Sequence, residues 1–227
     1  MRRWGIDVLA VHSPLVGPST IRPLAGALDA VGWSTTVPDL RDALSSPEAY
    51  VDAVGRAVES ADVVIGHSGA GAILPIVAAN TTASATVFID ALVPDTADDF
   101  MPSGRFIELL DSLPVSGGLL PPWHEWWPAE TLEQVLPDES LRRLVVSEIP
   151  RVPRSFYDQP VPLPEGWWTR PTAYLQLSPA YDDDRIRAER WGWPTCQLIG
   201  HHLDLVSRPD AIARIVTELA GAAHRNG

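Results

Sequence analysis

Two hydrophobic periods alternate along the chain. The runs Ile6–Val11, Trp33–Val37, Asp62–Gly66 and Thr86–Ile89 are short and mostly apolar, the signature of buried strands. Between them, apolar residues recur at helical spacing. Pro18–Val31 sets Ile21, Leu24, Ala25 and Leu28 on one face, and Gly32 stops it. Ser45-Ser46-Pro47 opens a second helix, with proline at an early helical position, running through Tyr50, Val51, Val54 and Val58. Ala70–Ala79 predicts a third. Beyond residue 170 the alternation resumes, with a strand at Ala173–Leu177, a helix at Asp183–Arg190 and a strand at Cys196–Ile199. The amphipathic run Pro209–Ala223 closes the chain, with Ile212, Ile215, Val216 and Leu219 on one face. Strands alternating with helices imply an α/β protein whose parallel sheet is covered on both faces.

The alternation fails between about residues 95 and 170. This stretch is rich in proline and holds Trp123, Trp126, Trp127, Trp167 and Trp168, five of the nine tryptophans. Short helices are predicted near Phe106–Leu113, Ala129–Leu136 and Glu139–Ile149. Parallel sheets bind ligands at the carboxyl ends of their strands. An insertion after the fourth strand should therefore cover that edge as a lid. The expected organisation is a core from residues 1–94 and 171–227, with a cap over 95–170.

Composition narrows the function. The chain has 227 residues, 45% of them hydrophobic, enough to bury a sizeable core. The net charge of −12 argues against nucleic acid as a partner. The one cysteine, Cys196, rules out an internal disulfide and suits a reducing, cytoplasmic setting. Ile6–Val11 is interrupted by Asp7 and is too short for a secretion signal. No stretch reaches the roughly 18 apolar residues of a membrane span. A small-molecule substrate and a monomer or homodimer are expected, with no metal and no cofactor.

The segment Val63-Val64-Ile65-Gly66-His67-Ser68-Gly69-Ala70-Gly71 is an apolar strand entering a helix through small residues. A serine on so tight a turn needs small neighbours, because the backbone there is strained and closely packed. Gly66 and Ala70 flank Ser68 at −2 and +2. The turn would lift the hydroxyl clear of the strand end and leave the Gly69 amide at a helix N-terminus, able to hold an oxyanion. Such a nucleophile needs a base. His201 and His202 both follow the last strand. His67, beside Ser68, should point away from it into the fold.

The elbow and the Gly200-His201-His202 turn together resemble the α/β-hydrolase family, over nearly the whole chain. In that family a Gly-x-His turn is followed by proline seven residues after the histidine, and His202 to Pro209 has that spacing. The resemblance implies His202 as the base, with His201 structural or lining the site. For the orienting acid it offers two positions. Asp90 ends the fourth strand in Phe88-Ile89-Asp90-Ala91-Leu92-Val93-Pro94, and Asp182 follows the next one. Asp90 is preferred, because the Gly-x-x-Asp pattern expected around Asp182 is imperfect and Asp182 also suits the acidic first turn of a helix. The loop His12-Ser13-Pro14-Leu15 resembles the family's His-Gly-x oxyanion loop, but Pro14 stands where an amide donor belongs and has no N–H. Leu15 after a one-residue shift, or the Ser13 hydroxyl, would have to replace it.

The resemblance also implies a mostly parallel six-stranded sheet in the order 2-1-3-4-5-6, without the first two strands of larger members. Ser13, Pro14, His201, Trp126 and Trp127 are the expected pocket residues. The function it implies is a serine hydrolase of an apolar ester, thioester or lactone. One alternative keeps the fold for a non-hydrolytic step, such as a cyclisation or elimination, with His202 as acid and base. The other is a non-catalytic binding protein of hydrolase ancestry.

Overall fold

A computed structural model of the chain describes residues 5–95 and 98–226. The first half runs β1 (Asp7–Val11), α1 (Arg22–Ala30), β2 (Ser34–Thr36), α2 (Pro47–Ala57), β3 (Val63–Ser68), α3 (Leu74–Asn80) and β4 (Ala85–Ala91). An irregular segment follows, with β5 (Asp99–Phe100), α4 (Gly104–Ser112), α5 (Ala129–Val135), α6 (Glu139–Glu148) and β6 (Val161–Pro162). The chain closes with β7 (Thr172–Gln176), α7 (Asp182–Arg190), β8 (Thr195–Gln197), the short α8 (Asp204–Ser207) and α9 (Pro209–Asn226).

Six strands pair side by side in the order β2-β1-β3-β4-β7-β8, every neighbouring pair parallel. The order reverses between β1 and β3, so the carboxyl ends of β1, β3 and β4 border the crevice where such sheets bind ligands. The near-continuous apolar strands divide their side chains between two cores, as strands buried on both faces must. Leu9, Val11, Val64, Phe88 and Tyr174 point into the core shared with α2 and α3. Val8, Ala10, Ile65, Val87, Ile89 and Leu175 point into the core shared with α1 and α9, against Leu24, Leu28, Ile212, Val216 and Leu219.

Two predicted helices are shorter than the hydrophobic period alone implies. The Pro18–Val31 run begins as a single 3-10 turn at Pro18–Thr20, and α1 starts only at Arg22. The Ala70–Ala79 run likewise begins as a 3-10 turn at Gly69–Ala72, with α3 starting at Leu74. Pro23 and Pro75 explain both. Each lacks an N–H and cannot continue a preceding helix, but each fits the first turn of a new one.

Residues 98–170 extend the first core, and around α5 and α6 they also form a smaller one, in which Leu132, Leu136 and Val145 pack on Leu203 and Val206. Leu110, Leu120, Trp126, Val152, Phe156, Tyr157 and Trp167 are buried in the cluster that holds Val11 and Phe88. The β5–β6 pairing is a two-residue antiparallel ribbon separate from the main sheet. Trp167 and Trp168 join Trp191 and Trp193 in a set of ring contacts, and Trp193 also packs on Phe88 of β4. Cys196 is only half-buried because β8 is the edge strand. Among the described residues, no helix is long and apolar enough to cross a membrane.

Candidate active site

Ser68 is the last residue of β3, and its backbone sits at φ 59° and ψ −127°. Asp90, near the end of β4, has φ 42°; among the described residues these are the only non-glycine positions with positive φ. The two lie together. The β3–β4 register slips between His67 and Ser68, so Ser68 pairs with Ala91 and Asp90 is left over as a bulge. Bulges re-aim a side chain, and strained backbone gathers at functional sites. Small residues make the turn possible. A Cβ on Gly66 would overlap Leu74, and one on Gly71 would overlap the Leu92 carbonyl. These glycines let the start of α3 press against the end of β4.

Asp90 is fully buried and has four hydrogen-bond donors. It accepts from the amides of Leu177 and Ser178 at 2.8 and 2.9 Å, the Ser178 hydroxyl at 2.6 Å and Nδ1 of His202 at 2.7 Å. Burial alone would raise its pKa. The hydrogen bonds from His202, Ser178 and Leu177 outweigh burial and hold it below the usual carboxylate value. The carboxylate therefore favours the His202 tautomer with the proton on Nδ1, leaving Nε2 as a hydrogen-bond acceptor.

Asp182 is not brought to the histidine. It is the first residue of α7 and accepts from the Gln176 amide. His201 is exposed, and its backbone N–H is held by Asp204 at 2.8 Å. The Asp204 carboxylate also accepts from Ser207 and Arg208, and it crowds Gly200 so closely that a Cβ there would overlap it. This network shapes the turn that carries His202.

Two rings contact the His202 imidazole. His67 lies 4.4 Å away, centroid to centroid, and Tyr181 lies 5.1 Å away with the rings only 11° from parallel. His67 is buried, and its Nε2 donates to the His202 carbonyl oxygen at 3.0 Å. Burial first, and the nearby His202 second, lower its pKa to about 3, so it stays uncharged beside the base. Tyr181 also reaches Ser68. Its hydroxyl is 3.1 Å from Oγ of Ser68, and no hydrogen bond joins Ser68 to His202. Nothing in the local sequence marks Tyr181. It follows β7, next to the acidic first turn of α7, and only the fold carries it to Ser68.

The loop after β1 is held rigidly. His12 donates from Nδ1 to the Ser13 carbonyl and accepts the Leu40 amide on Nε2, while the Tyr50 hydroxyl donates to the His12 carbonyl. Burial lowers the His12 pKa, in keeping with a neutral ring used for hydrogen bonding. From the other side, Glu148 at the end of α6 accepts the Ser19 amide at 2.6 Å and pairs with Arg22. Ser13 and Pro14 are buried against Gly69, where an added Cβ would lie 2.9 Å from the Ser13 Oγ. The Leu15 amide is already donated to that Oγ, at 3.3 Å. Leu15, expected to supply an oxyanion donor, is thus engaged locally, and the Ser13 Oγ that accepts its amide lies against Gly69.

The two expected pocket tryptophans differ in their surroundings. Trp126 is a core residue whose indole N–H is donated to the Pro121 carbonyl. Trp127 is exposed and lines a groove of about 590 Å³ between α5 and α6, bordered also by Leu132, Arg142 and Val146. Ser68, Asp90 and His202 do not line that groove. No cluster of metal-ligating side chains occurs among the described residues.

No protein-family model matches the chain, and no curated protein sequence is detectably similar to it. Solved structures are similar in fold. An extracellular α/β-hydrolase from a Paenibacillus species matches with a TM-score of 0.74 at 14% identity, over 95% of this chain and 99% of that one. Tomato methylketone synthase I bound to 2-tridecanone matches with a TM-score of 0.71 at 12% identity, over 96% and 99%. A pyrethroid hydrolase from Sphingobium faniae matches with a TM-score of 0.69 at 19% identity, over 96% and 98%. The parallel sheet, its strand order and these whole-chain matches agree: the chain has the α/β-hydrolase fold.

Proposed function

We propose that the chain is a serine hydrolase that cleaves a carboxylic ester, thioester or lactone of an apolar small molecule. The observation that carries this reading is the buried Asp90–His202 hydrogen bond beside a serine held at positive φ. In the reaction, Ser68 gives its proton to Nε2 of His202 as Oγ bonds to the carbonyl carbon. Asp90 stabilises the imidazolium, and His67, being neutral, adds no opposing charge. The Gly69 amide and the Ser13 hydroxyl receive the oxyanion, taking over from the amide that Pro14 lacks. The leaving group departs with the proton from His202, and water then releases the acyl group by the reverse roles. Residues 95–170 act as the cover of the site.

A fluorophosphonate probe tests this reading. Ser68 should be labelled in the folded protein, and Ser68→Ala should abolish both labelling and p-nitrophenyl ester hydrolysis. Folded protein that resists the probe would sink the proposal. A second reading, non-hydrolytic acid–base chemistry by His202, gains support from the Ser68 hydroxyl being engaged by Tyr181 and from Pro14 in the loop. An activity that survives Ser68→Ala and disappears in His202→Ala would favour it. One fold neighbour, the methylketone synthase, is named for a product other than that of simple hydrolysis.

A further inference from the structure

We propose that Tyr181 is a further catalytic residue of this site, donating a hydrogen bond to the leaving-group oxygen, and that the natural substrate is therefore an oxygen ester or lactone rather than a thioester. This rests on the serine-hydrolase reading above. On one side of Ser68, after β1, lie Ser13 and Pro14, packed against Gly69. That is the oxyanion side. On the other side, at the end of β4 and after β7 and β8, lie Asp90, Tyr181 and His202. His202 must return its proton to the leaving group, so the leaving group faces that side. Tyr181 stacks flat on the His202 ring and already holds Oγ of Ser68 at 3.1 Å. A group 3.1 Å from Oγ on the base's side is within reach of the next atom but one, which is the departing oxygen.

The chemistry of the phenol fits that role and no other acid–base role. Burial pushes its pKa well up, so it remains protonated and neutral at any working pH. It can donate a hydrogen bond without losing its proton. The sequence of events balances without it. Ser68 leaves Tyr181 and loses its proton to His202, the Oγ–carbon bond forms, and the carbonyl pair moves to the oxyanion. The carbon–oxygen bond then breaks as the departing oxygen takes the proton from His202. Throughout, the Tyr181 hydroxyl turns from Oγ to the departing oxygen. Sulfur accepts hydrogen bonds only weakly, so a thiol leaving group would gain little from it.

The experiment compares Tyr181→Phe with the wild type on three substrates sharing one acyl group: an ethyl ester, a p-nitrophenyl ester and an ethyl thioester. The variant should lose about tenfold in kcat on the ethyl ester, the value of one hydrogen bond made in the transition state, with little change in KM. It should lose less than about threefold on the other two, whose leaving groups need less help or cannot accept it. Fluorophosphonate labelling of Ser68 should persist in the variant. Equal losses on all three substrates would mean that Tyr181 only supports the structure, and a gain on all three would make it a brake on Ser68; either overturns the proposal. A wild-type protein that prefers the thioester also overturns it. If the wild type is not labelled and cleaves none of the three, the hydrolase reading itself has failed.

Discussion

At the scale of single residues, the site turns on Asp90. Its positive φ and the register slip beside it turn its carboxylate toward Ser178 and His202. Asp90→Asn would keep the shape and change the hydrogen-bonding, favouring the wrong His202 tautomer. We expect kcat on p-nitrophenyl esters to fall by roughly 10³–10⁴ in that variant. Asp182→Asn, at a carboxylate that accepts from the Gln176 amide, should change it less than about threefold. Reversed outcomes would move the acid to Asp182. Because the folded pKa of Asp90 is held below its unfolded value, its contribution to stability is present at neutral pH. It is lost only as pH falls through that lowered value. That Ser68, Asp90 and His202 gather in one place is legible in the sequence, because strand ends, small residues and the Gly–His–Pro spacing are local patterns. Tyr181 and the His67–His202 contact are not. They arise where β7 and β8 come alongside β3 and β4, and no local pattern encodes that juxtaposition.

At the scale of elements, two latches tie the segment after β4 to the sheet. One is Glu148 of α6, which holds the Ser19 amide beside the oxyanion loop; a Cβ on Gly17 would overlap Glu148, so glycine is required there. The other is α7. Asp184 accepts the Val93 amide at 2.7 Å, and Arg187 donates to the Val93 carbonyl and pairs with Asp184 at 3.1 Å. These contacts clamp the exit from β4. Burial raises the Asp184 pKa to about 6, only partly offset by the Val93 amide and Arg187. A folded value above the unfolded one means stability that is present in acid and lost as pH rises through about 6. Asp184→Asn should therefore be more stable than the wild type at pH 7.5 by about 1–2 kcal/mol, and little different near pH 4. Thermal unfolding at the two pH values checks this; a variant that is less stable at pH 7.5 would show that the Arg187 pair outweighs burial. The helices and strands themselves were readable from periodicity, except where Pro23 and Pro75 restart α1 and α3. The two-residue β5–β6 ribbon carries too short a pattern to be seen in sequence.

At the scale of the whole molecule, the strand order explains how residues distant in sequence meet. Ser68 and Asp90 stand on neighbouring strands, whereas His202 follows Asp90 by 112 residues. His202, the proposed base, is thus carried by the far edge of the sheet. There, β8 is three residues long, pairs with β7 alone, and is followed by Ile199, which is 88% exposed. Such an edge is a weak cooperative unit, able to open while the centre of the sheet stays closed. Its opening would take His202 from Asp90 and Ser68 without unfolding the rest. On heating, esterase activity should therefore vanish several degrees below the global transition, and return on cooling. Hydrogen exchange should find the amides of residues 195–203 less protected than those of β3 and β4. Coincident loss of activity and structure, with uniform protection, would refute this. If the edge opens first, the proposed nucleophile and acid belong to a persistent half of the molecule, and the proposed base to a late-arriving one. Catalytic competence would report on the last step of assembly, not on the presence of the fold.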